Sequence, residues 1–320
     1  MTTTLDNFIH QHRIPALRDE PLCGHSTWRI GGTADRLVLP ESTEQLGALV
    51  QFVNRHEMAW VVIGKGSNLL FSDDGFRGVV IKLDRAFSRV TIENEKVTAQ
   101  GGVSMPRLAR LTGMAGLTGL EHTIGIPGSL GGLVAINGGS LRQNIGDVIR
   151  TVTVVTPKGD IQTVLPKDCD FSYRHSNLLH SGCVVAEVTL ELQRGDARTI
   201  LRHMLGVLRE RQVKFPLNLP NCGSVFTSDP KLYDTLGPPG KLIEDLGLKG
   251  LACGGVTVSH RHANFMVNTA DATAQDVLNL VAKVREAIFD RHNVRIKTEA
   301  MYVHPYGRIE PVSEVASECL

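Results

Sequence analysis

The sequence predicts an α+β chain built from two or three compact units, and three observations predict it. Residues 36–83 read as β-α-β. From about Ser88 the pattern changes to alternating, hairpin-like strands in mixed order with helices. A third region closes on an amphipathic helix from Thr273. A length of 320 residues suffices for that many cores.

Arg36–Leu39 forms a short strand. Ser42 with Gln45 supplies a capping box, and Leu46, Leu49, Val50 and Val53 follow at helical spacing. Trp60–Ile63 is a buried strand that runs into GKGSNLLFSDDGF (64–76) and a further strand, Gly78–Leu83. VTIENEKVTAQGG alternates as an antiparallel hairpin turning at Glu93-Asn94-Glu95-Lys96. A helix starts near Ser104, and strands return at TVTVVTP, DIQTVLP and VVAEVTLELQ. Residues 197–213 are helical and basic. On the last helix Val277, Leu280, Val281, Val284 and Ile288 line one face. The stretch after Val303, HPYGRIEPVSEVASECL, reads as loosely ordered.

Composition narrows the class. Apolar residues make up 42% and charged residues 21%, as in water-soluble globular proteins. The net charge of +1 gives no global field for nucleic acid or an anionic membrane, so an anion site has to be built locally. The longest uncharged run, Thr123–Leu141, has the 19 residues of a membrane span, but its glycines and Pro127 argue against one. The N-terminus lacks the basic start and apolar core of a secretory signal. Six cysteines (23, 169, 183, 222, 253, 319) show no C-x-x-C spacing and read as reduced thiols of a cytoplasmic protein. His260 and His262 are too few for a metal, so no metal site is expected.

HTIGIPGSLGGLVAINGG (122–139) carries six glycines at 125, 128, 131, 132, 138 and 139. Tight turns between buried strands would explain them. A Rossmann fingerprint does not, because Gly64-Lys65-Gly66-Ser67-Asn68-Leu69 ends in Leu, and no P-loop spacing occurs either. A backbone cradle of another kind remains, in which successive N–H groups bind a diphosphate that approaches without Cβ interference. Loops 64–68 and 125–132 are the candidates.

HSTWRIGG (25–32), GKGSNLLFSDDGF, IPGSLGGLVAINGG (126–139), YRHSN (173–177), CGSVF (222–226), GKLIEDLGLKG (240–250) and SHRHANFMVN (259–268) follow in this order. Together, over about residues 20–303, they resemble the UDP-N-acetylenolpyruvoylglucosamine reductases, in the type lacking a tyrosine-bearing insertion. The resemblance implies an FAD-binding fold of the PCMH/vanillyl-alcohol-oxidase type. Its two FAD-binding subdomains would span 1–86 and 87–200, its C-terminal α+β substrate domain 201–305, and a tail 306–320. It implies non-covalent FAD held by Gly64, Lys65, Gly66, Ser67, Asn68, Gly125, Gly128, Ser129, Gly131, Gly132 and Asn137. It implies NADPH as hydride donor and a UDP-sugar substrate, with no nucleic acid or membrane partner.

The implied reaction reduces an enol ether for peptidoglycan precursor synthesis. Hydride goes to the vinyl terminus, charge builds on the adjoining carboxylate, and a proton reaches the α-carbon. The resemblance assigns Arg174 to the carboxylate, Ser224 to the proton and Glu299 to the C-terminal catalytic glutamate. A free serine is a poor acid, so its proton needs help from Arg174, Glu299 or a water. The connection 227–240 is longer than the family's and lacks its Asn, and Lys297 replaces an acidic residue. These departures leave a second reading open, an FAD oxidoreductase of another nucleotide sugar. Intact Arg174, Ser224 and Glu299 speak against a third, an idle flavin-binding module. Cys222 is a candidate nucleophile by type, though a small buried residue is the simpler reading. Lys241 and Glu244 would touch substrate or cap their own helix.

Overall fold

The structure, a computed structural model, describes residues 2–228, 232 and 235–316. Part of the 227–240 connection, and Cys319 with the last residues of the tail, lie outside the described residues. The chain divides into two compact units: one of residues 1–18, 36–65 and 79–210, the other of 19–35, 66–78 and 211–320.

In the first unit, Trp60–Ile63 pairs in parallel with Val79–Lys82 at one side of a four-stranded sheet. Its order is Ala16–Pro21, Thr33–Val38, Phe76–Lys82, Trp60–Ile63. Helix Thr43–Arg55 covers it, with Leu46, Leu49, Val50 and Val53 fully buried. Ser42 caps this helix by accepting from Gln45 N at 3.2 Å. The expected reciprocal bond is displaced by one residue, because Gln45 Oε1 accepts from Glu41 N at 2.8 Å instead.

A five-stranded antiparallel sheet follows, ordered Ile161–Val164, Ile149–Val155, Val184–Glu191, Lys96–Gln100, Val90–Glu93. The hairpin turns at Asn94-Glu95, between the paired residues Glu93 and Lys96, and Asn94 takes a left-handed φ of 56°. The sheet is apolar on both faces. Val155, Val184 and Ala186 join the core under helix Thr43–Arg55. Val97, Val152 and Val188 join a second core with helices Met105–Met114, Leu130–Ala135 and Ala197–Lys214.

In the second unit Trp28 is fully buried and donates Nε1–H to Met266 O at 2.9 Å. Around it lie the sheet Ala252–Cys253, Val256–Val258, Met266–Asn268 and helix Ala274–His292. Thr273 and Asp276 make the two reciprocal bonds of a capping box, and Asn293 ends the helix in the left-handed region. The expected periodic face, Val277 to Ile288, is buried throughout.

The tail corrects the sequence reading. Ile309–Pro311 pairs antiparallel with Met301–Val303, which runs parallel to Leu69–Phe71. Helix Val312–Ala316 then packs inward with Val312, Ser313 and Ala316 fully buried. Ser313 N donates to Thr298 Oγ1 at 2.9 Å, and Arg285 Nη1 donates to Ser313 O at 2.6 Å. The apolar pieces of this tail are too short to show a period, and the strand they cover creates their order.

Candidate active site

Loop 64–68 follows the half-buried strand Trp60–Ile63. Among the described residues the N–H groups of Lys65, Gly66 and Ser67 meet no protein acceptor. Gly66 takes φ of 61°, and a Cβ there would overlap His25 O. A Cβ on Gly64 would overlap Ser129 Oγ, so the two glycine-rich loops named from sequence meet at this pair. Lys65 Nζ lies 3.2 Å from Asp84 Oδ1. Burial opposes ionisation of Asp84, but Lys82 and Lys65 outweigh it and hold the carboxyl below its usual range.

Ser129 also caps helix Leu130–Ala135, accepting from Gly132 N at 3.4 Å. Met105 N donates to Gly128 O at 3.0 Å, and Gly131 N donates to Gly101 O at 2.8 Å. A Cβ on Gly131 would stand 3.2 Å from both Gly101 O and Val185 O. Gly131 therefore serves close backbone packing, while Gly132 meets only the Ser129 hydroxyl. Asn137 is buried, with both ends of its amide in use: Nδ2 donates to Ser172 O at 2.9 Å and Oδ1 accepts from Gly146 N at 3.0 Å. Gly125 lies in the turn where Ile126 N donates to Thr123 O. Unpaired successive N–H groups beside glycines that admit no Cβ fit a diphosphate-bearing cofactor such as FAD.

Arg174, in the first unit, takes a φ of 56°, a conformation uncommon for a residue with a side chain. Its Nη1 donates to Gly139 O at 3.3 Å, and its guanidinium lies 5.5 Å from the Tyr173 ring centre.

Ser224 and Glu299 belong to the second unit, and the backbone brings them onto adjoining segments. Glu299 N donates to Val225 O at 2.8 Å, and Thr227 N donates to Lys297 O at 3.0 Å. On its other side the serine strip is held by Asn264. Val225 N donates to Asn264 O, Phe226 N to Asn264 Oδ1, and Asn264 Nδ2 to Phe226 O, all at 2.9 Å. Asn68 Nδ2 donates to Glu299 O at 3.0 Å.

Ser224 opens onto a cleft of about 560 Å³. Lys214, Phe215, Lys241, Glu244, Arg261 and His262 share its lining. Lys214 and Phe215 carry no sequence signal, and Arg261 lies within SHRHANFMVN, where the sequence assigned it no role. Lys241 pairs with Asp245 and Glu244 with Lys249, each at 2.6 Å. His262 Nδ1 accepts from Asn264 N at 3.3 Å. Burial pushes its imidazole below the usual value, and Lys214 and Lys249 add to that, against Glu244.

Cys222 is buried. Burial, with the Glu299 charge beside it, pushes its thiol up, so it stays protonated and unsuited to nucleophilic attack. Among the described residues no group of three or more His, Cys, Asp or Glu could hold a metal, and no helix is long and apolar enough to cross a membrane.

Residues 34–165 match the FAD binding domain family. Residues 215–303 match the UDP-N-acetylenolpyruvoylglucosamine reductase C-terminal domain. The chain is 43% identical to UDP-N-acetylenolpyruvoylglucosamine reductase 1 of Corynebacterium glutamicum, over 92% of this chain and 88% of that protein. It is 40% identical to the reductase of Heliobacterium modesticaldum, over 91% of each. The crystal structure of the reductase from Thermus caldophilus superposes with a TM-score of 0.76 at 32% identity, covering 91% of this chain and 98% of that one. A flavin-binding region followed by this C-terminal domain, matched nearly end to end, places the chain in the UDP-N-acetylenolpyruvoylglucosamine reductase family.

Proposed function

We propose that this protein reduces UDP-N-acetylglucosamine enolpyruvate to UDP-N-acetylmuramate, in the cytoplasm, as a step of peptidoglycan precursor synthesis. FAD, reduced by NADPH, supplies the hydride when bound. The observation that carries the reading is the pairing of Glu299 with Val225, which sets the two proposed catalytic side chains, Ser224 and Glu299, on adjoining segments.

Residues 1–86 and 87–200 hold the flavin in this reading, and 201–305 the sugar nucleotide. Loop 64–68 receives the diphosphate of the cofactor on its main-chain N–H groups, with Gly125, Gly128, Ser129 and Gly132 lining the second loop. Gly131 and Asn137 contribute by fixing the backbone of that second loop. Hydride arrival at the vinyl terminus pushes negative charge toward the substrate carboxylate, and Arg174 is the cation assigned to stabilise it. Ser224 delivers the proton to the α-carbon. Glu299 orients that hydroxyl. The cations of the cleft, Lys214, Lys241 and Arg261, suit the anionic part of a nucleotide sugar.

The test is anaerobic. Purified protein is reduced with NADPH, UDP-N-acetylglucosamine enolpyruvate is added, and the flavin absorbance is followed with product analysis. Rapid reoxidation with UDP-N-acetylmuramate formed is the expected result. Flavin that stays reduced would refute the substrate assignment.

A further inference from the structure

The charge balance of the whole chain is +1, yet it is unevenly spread. Helix Ala197–Lys214 carries Arg198, Arg202, Arg209, Arg211 and Lys214 against Glu210 alone, and its first thirteen residues hold no carboxylate. A helix needs one apolar stripe to pack on its unit. Ile200, Met204 and Val207 provide it here, all buried. The same helix carries a second row, Leu201, Leu205 and Leu208, again at spacings of four and three. Leu205 is 53% and Leu208 37% exposed.

At 100° per residue the leucine row stands next to the exposed arginines 198, 202 and 209, so leucines and arginines share one outward face. The neighbouring helix packs Gly113 close to Met204 and Ile200. It exposes Arg110 and, at 60%, Met114. Leu201 is half-buried against the core of its unit, whereas Leu205 and Leu208 stand outside it.

We propose that this face docks on the surface of an anionic phospholipid bilayer. Apolar side chains bordered by arginines along a single helix are what the boundary between headgroups and acyl chains accepts: phosphates pair with the guanidinium groups while leucines enter the apolar layer. An acidic protein partner would equally meet the charge. The exposed pair Leu205 and Leu208 beside three arginines, with no carboxylate along Ala197–Arg209 to fix a partner's register, favours lipid. Since no described helix can span a membrane, the contact is peripheral.

Full-length, FAD-loaded protein should sediment with vesicles of phosphatidylglycerol and phosphatidylcholine at low salt, not with phosphatidylcholine alone, and high salt should release it. Leu205→Glu with Leu208→Glu, and separately Arg202→Glu with Arg209→Glu, should each weaken that binding by on the order of tenfold or more. Unchanged flavin absorbance and melting temperature would show both variants folded, as expected for exposed positions. Failure of the wild type to sediment with the phosphatidylglycerol vesicles would overturn the proposal. So would equal binding to neutral vesicles, or full binding by either folded variant; an acidic protein would then be the occupant to seek.

Discussion

The Asn68 side-chain amide donates to the main-chain carbonyl of Glu299 at 3.0 Å, and the Asn68 carbonyl accepts from Met301 N at the same distance. Both bonds tie Asn68 to the segment bearing Glu299. Removing the amide should therefore disturb more than local packing. Asn68→Ala should cost about 1 kcal/mol, a few degrees of melting temperature, and slow substrate reduction by roughly tenfold. Asn68→Asp keeps the shape but loses the donor, and should behave as the alanine variant does. A calorimetric melt and stopped-flow reoxidation check both, and wild-type behaviour of Asn68→Asp would refute the role of the amide.

The contact of Gly64 with Ser129 predicts a paired effect. Gly64→Ala places a methyl group on the Ser129 hydroxyl, costing about 1–3 kcal/mol and separating the two loops. Purified Gly64→Ala should carry little FAD. Adding Ser129→Gly removes the Oγ and Cβ that the new methyl meets, so the double variant should regain flavin relative to Gly64→Ala. Fluorescence of released FAD per protein gives the readout.

Ser224→Ala should leave flavin reduction by NADPH intact and slow the substrate half-reaction by roughly 10²–10⁴-fold. Rapid-mixing measurements separate the two halves. Equal loss in both would argue that Ser224 shapes the cleft without donating a proton.

Asp6 provides a pH test distant from the cleft. Its carboxylate accepts from Arg36 Nε at 2.9 Å and from Arg18 Nη2 at 2.7 Å. The Arg36 hydrogen bond, with the Arg36 and Arg18 charges, holds the carboxyl below its ordinary value despite the opposing burial. The stabilisation is full above the unfolded value of about 4 and is lost as pH falls through the depressed folded value. Asp6→Asn should cost about 2 kcal/mol at neutral pH, less than for a fully buried pair because Asp6 is a quarter exposed. Melting curves of both proteins should begin to approach each other below pH ~4 and converge only below the depressed folded value.

Legibility in the sequence followed range. Helices Thr43–Arg55 and Ala274–His292 were readable because caps and an apolar period lie within one short window. The hairpin at Asn94-Glu95 was readable for the same reason. Gly64 and Ser129 are 65 residues apart, so their contact left no local trace. The glycines of 125–139 answer to two causes that composition cannot separate. Gly131 and Gly139 meet neighbouring backbone, whereas Gly132 meets only a hydroxyl. Glu299 has few motif neighbours, and its placement comes from its bond to Val225 and from the tail's hold on the flanking Thr298 and Ala300. That tail lacked any period, so the helix Val312–Ala316 was missed.

The packed tail also sets an order of events during synthesis. The strand Met301–Val303 pairs with Leu69–Phe71, made some 230 residues earlier, and is covered by Ile309–Pro311 and the helix behind it. Residues 68 and 225 must therefore wait, incompletely paired, until residues 299–301 have left the ribosome. Premature termination even a few codons before Val312 would leave Thr298 without its Ser313 partner and remove the Ser313 carbonyl that Arg285 Nη1 donates to. A stop codon there should abolish the enzyme.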